Sequence, residues 1–228
     1  MVEICDSIDA TLSVKRRRIK DDALIGLLDE FFETETEQVF APRLRDRLLD
    51  GYSSYIKANE AYEARQYQLA VELYEEALQN GRKPAMALQE AREKYSIVGE
   101  MAADGNYPMS LDWIVQTFRN SCRSRLELSD VDGARRDAFA ATVFSKNNDA
   151  ASHECLADVC SQTGDAIGEY QAVKAAIEQY DKVEERYSVP EKDAVTRAEA
   201  AKIRANAETR KRELGFRLAK LDRQLKKS

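Results

Sequence analysis

A single histidine, His153, stands among 228 residues. That scarcity removes most acid–base and metal chemistry that depends on imidazole, and leaves carboxylates and lysines to carry any proton transfer. Glycine and proline are sparse as well, at 9 and 4, which argues against an all-β or loop-dominated chain. The four cysteines, Cys5, Cys122, Cys155 and Cys160, have no framework spacing, so they read as reduced, buried thiols of a cytosolic or nuclear protein. His153 lies two residues before Cys155, but no second Cys or His pair completes a tetrahedral metal set. No apolar run approaches the roughly 20 residues that cross a bilayer. The opening M-V-E-I-C-D-S-I-D-A has neither the positive start and apolar run of a secretory signal nor the acid-poor character of a mitochondrial presequence. The expectation is a cytoplasmic protein without membrane contact.

Catalytic motifs are missing too. The chain has no nucleophile elbow, phosphate-binding loop, dinucleotide-binding glycine pattern or zinc-protease motif. Paired acids such as Glu75-Glu76 and Glu184-Glu185 read as solvated helix faces. No enzyme activity and no cofactor are expected.

What the chain does hold is charge and small apolar residues. Charged residues make up 33% and hydrophobic ones 43%, a balance that suits a soluble helical protein. The net charge of −6 conceals an asymmetry: residues 191–228 hold 12 Lys/Arg and 6 Asp/Glu, so of 35 basic and 41 acidic residues the rest keeps 23 and 35. A basic C-terminal segment on an acidic body can bind an acidic partner or fold against its own body.

Residues 1–20 read as a flexible leader ending in Lys15, Arg16, Arg17, Arg18 and Lys20, a cluster that a nuclear-import receptor can accept. Residues 21–51 read as N-terminal capping helices. Leu24, Leu27, Leu28, Phe31 and Phe32 share one face, and Leu44, Leu48 and Leu49 follow Pro42 before Gly51, in the helical period. Residues 52–187 hold about three helix pairs, the first stopping at Asn80-Gly81, a C-terminal signal. Between the first two pairs, 84–109 is either an insertion or a lengthened second helix, with Pro84 as a possible helix start and a turn at Asp104-Gly105-Asn106-Tyr107-Pro108. Such additions gather on one face of repeat proteins. The second pair spans 110–145, with Ser110 at its N-cap, and the third runs from Ala151 to Tyr180. Ser188-Val189-Pro190-Glu191 is a capping box that opens one long basic helix over 188–228. Its stripe of Ile203, Ala207, Leu214, Leu218, Leu221 and Leu225 suits an end cap or a short coiled coil.

Tyr55 to Ala77 reads Y-I-K-A-N-E-A-Y-E-A-R-Q-Y-Q-L-A-V-E-L-Y-E-E-A. Ala58 and Ala61 fall in a first helix, and Ala70 and Ala77 flank Tyr74 in a second. This stretch resembles one tetratricopeptide (TPR) repeat almost throughout, since small residues at these places let two short antiparallel helices pack closely. Ala134, Ala138 and Ala141 copy the spacing; Ala157, Cys160, Val173 and Ala176 give a third copy, in which Glu169 falls where the small residue should be. The resemblance implies an all-α, TPR-like helical-hairpin solenoid with N-terminal capping helices and a long C-terminal helix.

The pattern is closest to co-chaperone TPR domains, whose lysines, asparagines and arginine clamp the C-terminal carboxylates of chaperones. On that pattern Asn59 and Asn120 fall on the two amides. Tyr55 takes the place of the first lysine, and Ala151 and Cys155 those of the later cations, so the clamp is incomplete. What the resemblance implies is a non-catalytic, co-chaperone-like adaptor that binds a peptide, a C-terminal tail or a helix of another protein. Its groove would be lined by Tyr55, Asn59, Tyr62, Arg119, Asn120 and Arg123. Two alternatives stay open. One is a structural subunit that self- or hetero-associates through 190–228; the other is a nuclear or RNA-associated factor. Against nucleic acid stand the acidic balance of the chain and the isolation of Phe216 among the C-terminal cations.

Overall fold

The computed structural model describes residues 40–94, 112–188 and 194–226. Among them are seven helices and no strand: α1 (Phe40–Glu63), α2 (Tyr67–Lys94), α3 (Asp112–Glu127), α4 (Val131–Phe144), α5 (Ala150–Gln162), α6 (Ala166–Arg186) and α7 (Ala194–Leu225). The chain is therefore all-α over these residues. The leader with Lys15, Arg16, Arg17, Arg18 and Lys20, the remainder of 21–39 and positions 95–109 lie outside the described residues. No described helix is long and apolar enough to cross a membrane.

Three tight turns join α1 to α2, α3 to α4 and α5 to α6, and all three have the same backbone design. Arg65, Ser129 and Gly164 adopt φ of 58°, 62° and 71°. Around each, the next amide reaches back to the carbonyl five residues earlier: Gln66 to Ala61 at 2.8 Å, Asp130 to Arg125 at 2.8 Å and Asp165 to Cys160 at 2.9 Å. The left-handed residue's own amide bonds to the carbonyl three residues before it, completing a Schellman stop. In the second and third turns the following aspartate begins the next helix. Asp130 accepts from the Gly133 amide and Asp165 from the Gly168 amide, each at 2.9 Å. A Cβ at Gly133 would stand 2.1 Å from the Asp130 carboxylate, and one at Gly168 2.3 Å from that of Asp165. Asp-x-x-Gly is thus a matched cap: the glycine leaves room for the side chain that satisfies its amide.

Each hairpin packs on the next. α2 meets α3, α4 meets α5 and α6 meets α7, while α3 also touches α1 and α5. The interior follows the same order as three successive clusters. The first gathers Tyr55, Ala58, Ala70, Tyr74, Ala77, Trp113 and Phe118; the second Cys122, Ala134, Ala138, Cys155 and Val159; the third Ala157, Val173, Ala176, Leu214 and Leu221. The small residues of the sequence pattern are buried: Ala58, Ala70, Ala77, Ala134, Ala138, Ala141, Ala157 and Ala176 are all fully enclosed. Arg125 ties α2, α3 and α4 together, meeting Glu75, Asp130 at 2.5 Å and Asp137 at 2.9 Å.

The helix stop expected at Asn80-Gly81 and the helix start expected at Pro84 are corrected. Gly51 and Asn80-Gly81 lie inside α1 and α2, and Pro84 lies within α2 rather than at a helix start. The glycines serve a crossing. A Cβ on Gly51 would lie 2.6 Å from the Gly81 nitrogen, and one on Gly81 would lie 2.1 Å from the Trp113 ring. They let the two backbones touch and seat the indole, which outweighs their low helix propensity. Of the two readings of 84–109, residues 84–94 are the lengthened second helix.

The long C-terminal helix is present from Ala194. Glu191 of the expected capping box lies outside the described residues, and the Ser188 hydroxyl donates back to the Glu185 carbonyl at 2.6 Å. Leu214, Leu218 and Leu221 face α5 and α6, so this part of the stripe packs within the chain, while Ile203 is exposed.

Candidate functional site

The first helices of the first two hairpins, α1 and α3, carry the expected binding residues. At the seam of α1, α2 and α3 lies a polar knot. The Oδ1 of Asn59 accepts from the Tyr74 hydroxyl at 2.8 Å and from the Asn120 amide at 3.1 Å. The Tyr55 hydroxyl donates to Gln116 at 2.6 Å. Burial pushes the Tyr55 phenol up, while the nearby Asn59 amide and the Arg119 charge pull the other way. Burial raises the Tyr74 phenol as well. A network this enclosed holds its members in register, because an unpaired polar group there would cost roughly 1–3 kcal/mol.

Asn59 and Asn120, 61 residues apart, are therefore neighbours, but they bond to each other. Tyr55 departs from expectation. Its ring is 4% exposed and packs between Tyr52 and Trp113, with centroids 5.7 Å from each. It is a core side chain with a polar tip beneath the face, not a lining residue, because the indole and two tyrosine rings bury more apolar area by clustering.

Arg119 is also engaged. Its Nη1 reaches both carboxylate oxygens of Asp149 at 3.0 Å. Asp149 in turn caps α5 by accepting from the Ser152 amide at 2.9 Å. Arg119 thus fastens α3 to the start of α5, and its buried Nε has no partner.

Arg123, one turn further along α3, differs. Among the described residues it makes no hydrogen bond or ion pair. Burial works to lower its basicity, but nearby acidic groups, the carboxylates of Glu154 and Asp158 among them, outweigh that and raise it, so the guanidinium stays charged. The nearby acids are held elsewhere: Glu154 by Arg210, and Asp158 by Arg217 at 2.6 Å. Tyr62 is half-buried against Tyr67, ring centroids 5.9 Å apart. Arg123, Tyr62 and the outward side of the Asn59–Asn120 pair can together offer a cation, a phenol and amide groups to an acceptor-rich ligand.

The positions matched to the later clamp cations supply none. Cys155 is fully buried, with its thiol 3.8 Å from the Arg119 carbonyl. Cys122, Cys155 and Cys160 are buried thiols, and no group of three His, Cys, Asp or Glu among the described residues is arranged to hold a metal ion. The ion pairs of α7 were beyond sequence reasoning. Arg210 and Arg217 carry no local signal that matches them to Glu154, Asp158 and Glu169, though Glu169 in a small-residue position was a hint. No protein-family model, curated protein or solved structure matches the chain.

Proposed function

We propose that the protein is a non-catalytic adaptor, a TPR-like stack of helical hairpins whose α1–α3 face binds an acidic peptide segment of another protein. The observation that carries this reading is Arg123, a partly buried guanidinium with no ion-pair partner among the described residues. None of its nitrogens is both buried and unpaired, so a ligand carboxylate can gain a charge-assisted bond there. Three hairpins closed by the same turn support the repeat reading. The adjoining Tyr62 and amide pair suit an extended chain with carbonyl and carboxylate acceptors. Co-chaperone-like binding of a chaperone tail falls within this reading, with one cation where a full clamp has three.

Binding is tested by titrating an acidic C-terminal peptide into the whole chain by calorimetry. Arg123→Ala should weaken it by about tenfold or more, the worth of one charge-assisted contact of about 1.5–3 kcal/mol, while the chain stays folded. Equal affinity in the variant and the native chain would sink the proposal.

A further inference from the structure

The positive end of the chain lies on the chain's own acid. Arg210 donates through Nε and Nη2 to Glu154, whose side chain is only 5% exposed. The Tyr180 hydroxyl donates to the same carboxylate at 2.6 Å. Two turns on, Arg217 uses all three of its nitrogens: Nε on Glu169 at 2.6 Å, Nη1 on Asp158 at 2.6 Å and Nη2 on the Ala157 carbonyl at 3.0 Å. Lys211 meets Asp181 at 2.8 Å and Glu184 at 2.5 Å. Three cations thus answer five carboxylates of α5 and α6.

The apolar side of this contact is thin. Ala200, Ala207, Leu214 and Leu221 are the buried hydrophobics of a helix of 32 residues. Two alanines and two leucines bury little surface, so the charges set where α7 lies. Beneath it, Glu169 occupies the position that Ala70 and Ala134 fill in the earlier hairpins. A carboxylate there is tolerable only because Arg217 covers it. The third hairpin is built to receive a basic helix rather than another neutral one.

We propose that the α5–α6 face is a receptor for a basic amphipathic helix and that α7 is its tethered occupant. A partner protein displaces α7 by offering a helix with the pattern Arg-x3-Leu-x2-Arg-x3-Leu that Arg210, Leu214, Arg217 and Leu221 display. The tether gives α7 an effective concentration in roughly the millimolar range. A competitor must therefore improve on its contacts. This face borders Arg123, whose charge feels Glu154 and Asp158, but the inference does not rest on the peptide-binding reading.

The test uses the whole chain carrying Arg210→Glu and Arg217→Glu. Hydrogen exchange should show protection lost in α7 while α1–α4 keep theirs. A synthetic peptide of residues 197–226, followed by fluorescence anisotropy, should bind this variant at least about tenfold tighter than the native chain, whose face is occupied. In the native chain, raising salt from about 0.05 M to about 1 M should lower protection in α7 only in part, since the pairs on buried Glu154 and Glu169 are screened less than exposed ones. Three outcomes would overturn the proposal: α7 protected in the variant and indifferent to salt, a released face that ignores the peptide, or loss of protection throughout the molecule.

Discussion

Asp130 shows how one side chain joins local structure to packing. It caps α4 through the Gly133 amide and pairs with Arg125, which also holds Glu75 and Asp137. The Gly133 amide first, and Arg125 second, hold its carboxyl below the usual carboxylate range. A depressed folded value means the stabilisation is present above the unfolded value and is lost as pH falls through the folded one. Asp130→Ala should therefore cost about 1 kcal/mol at neutral pH, the ordinary worth of a cap. The gap should hold down to the usual carboxylate range and narrow below it. Urea midpoints of both chains across an acid series measure this, and a gap that persists unchanged in acid would mean the carboxylate charge is not what matters. The same cap was open to a sequence reader. Asp130 and Gly133, then Asp165 and Gly168, repeat one pattern, but with two glycines involved it reads first as loop composition.

Elements are where sequence reasoning both succeeded and failed, for physical reasons. The small-residue spacing from Ala58 to Ala77 and its copies identified buried faces, because close helix packing tolerates little else and leaves a regular trace. Gly81 misled, because a glycine that ends a helix and one that lets two helices touch look alike without knowledge of the neighbour. Gly81→Ala separates the two roles. Propensity alone would favour alanine by about 1 kcal/mol. A Cβ set 2.1 Å from the Trp113 ring, which is fully buried, must displace the indole or spread α2 from α3, and overpacking of this kind costs about 1–3 kcal/mol. The overpacking should win, lowering the thermal midpoint and shifting Trp113 fluorescence. As the chain has a single tryptophan, that signal is unambiguous. A midpoint that rises would restore the reading of Gly81 as a mere weak point in a helix.

At the scale of the whole molecule, the order of contacts predicts how strain spreads. Helices touch their sequence neighbours, with α3 also meeting α1 and α5 and α7 reaching α5 through Arg210 and Arg217, and the core is three clusters in series rather than one. Charge follows the same local rule: the excess acid of the body and the excess base of the C-terminal segment meet at α5–α7, where Arg217 joins Glu169 and Asp158. Composition revealed that asymmetry, but not whether the base would meet its own acid or another protein's, because that depends on side chains some 50 residues apart, as with Arg217 and Glu169, separated by 48. In such a chain two injuries at opposite ends should not feel each other. Gly81→Ala acts at α1–α3, and Arg217→Ala removes the cation over Glu169, leaving a carboxylate that is 12% exposed at its side chain without its charge partner. Allowing for that partial exposure, the second change should cost about 1–3 kcal/mol. The double variant should then lose the sum of the two single effects to within about 0.5 kcal/mol, and native-state hydrogen exchange should place each loss at its own end, in α1–α3 for the first and in α5–α7 for the second. A coupling well above that margin, or protection lost evenly along the chain, would show that the three clusters fold as one body.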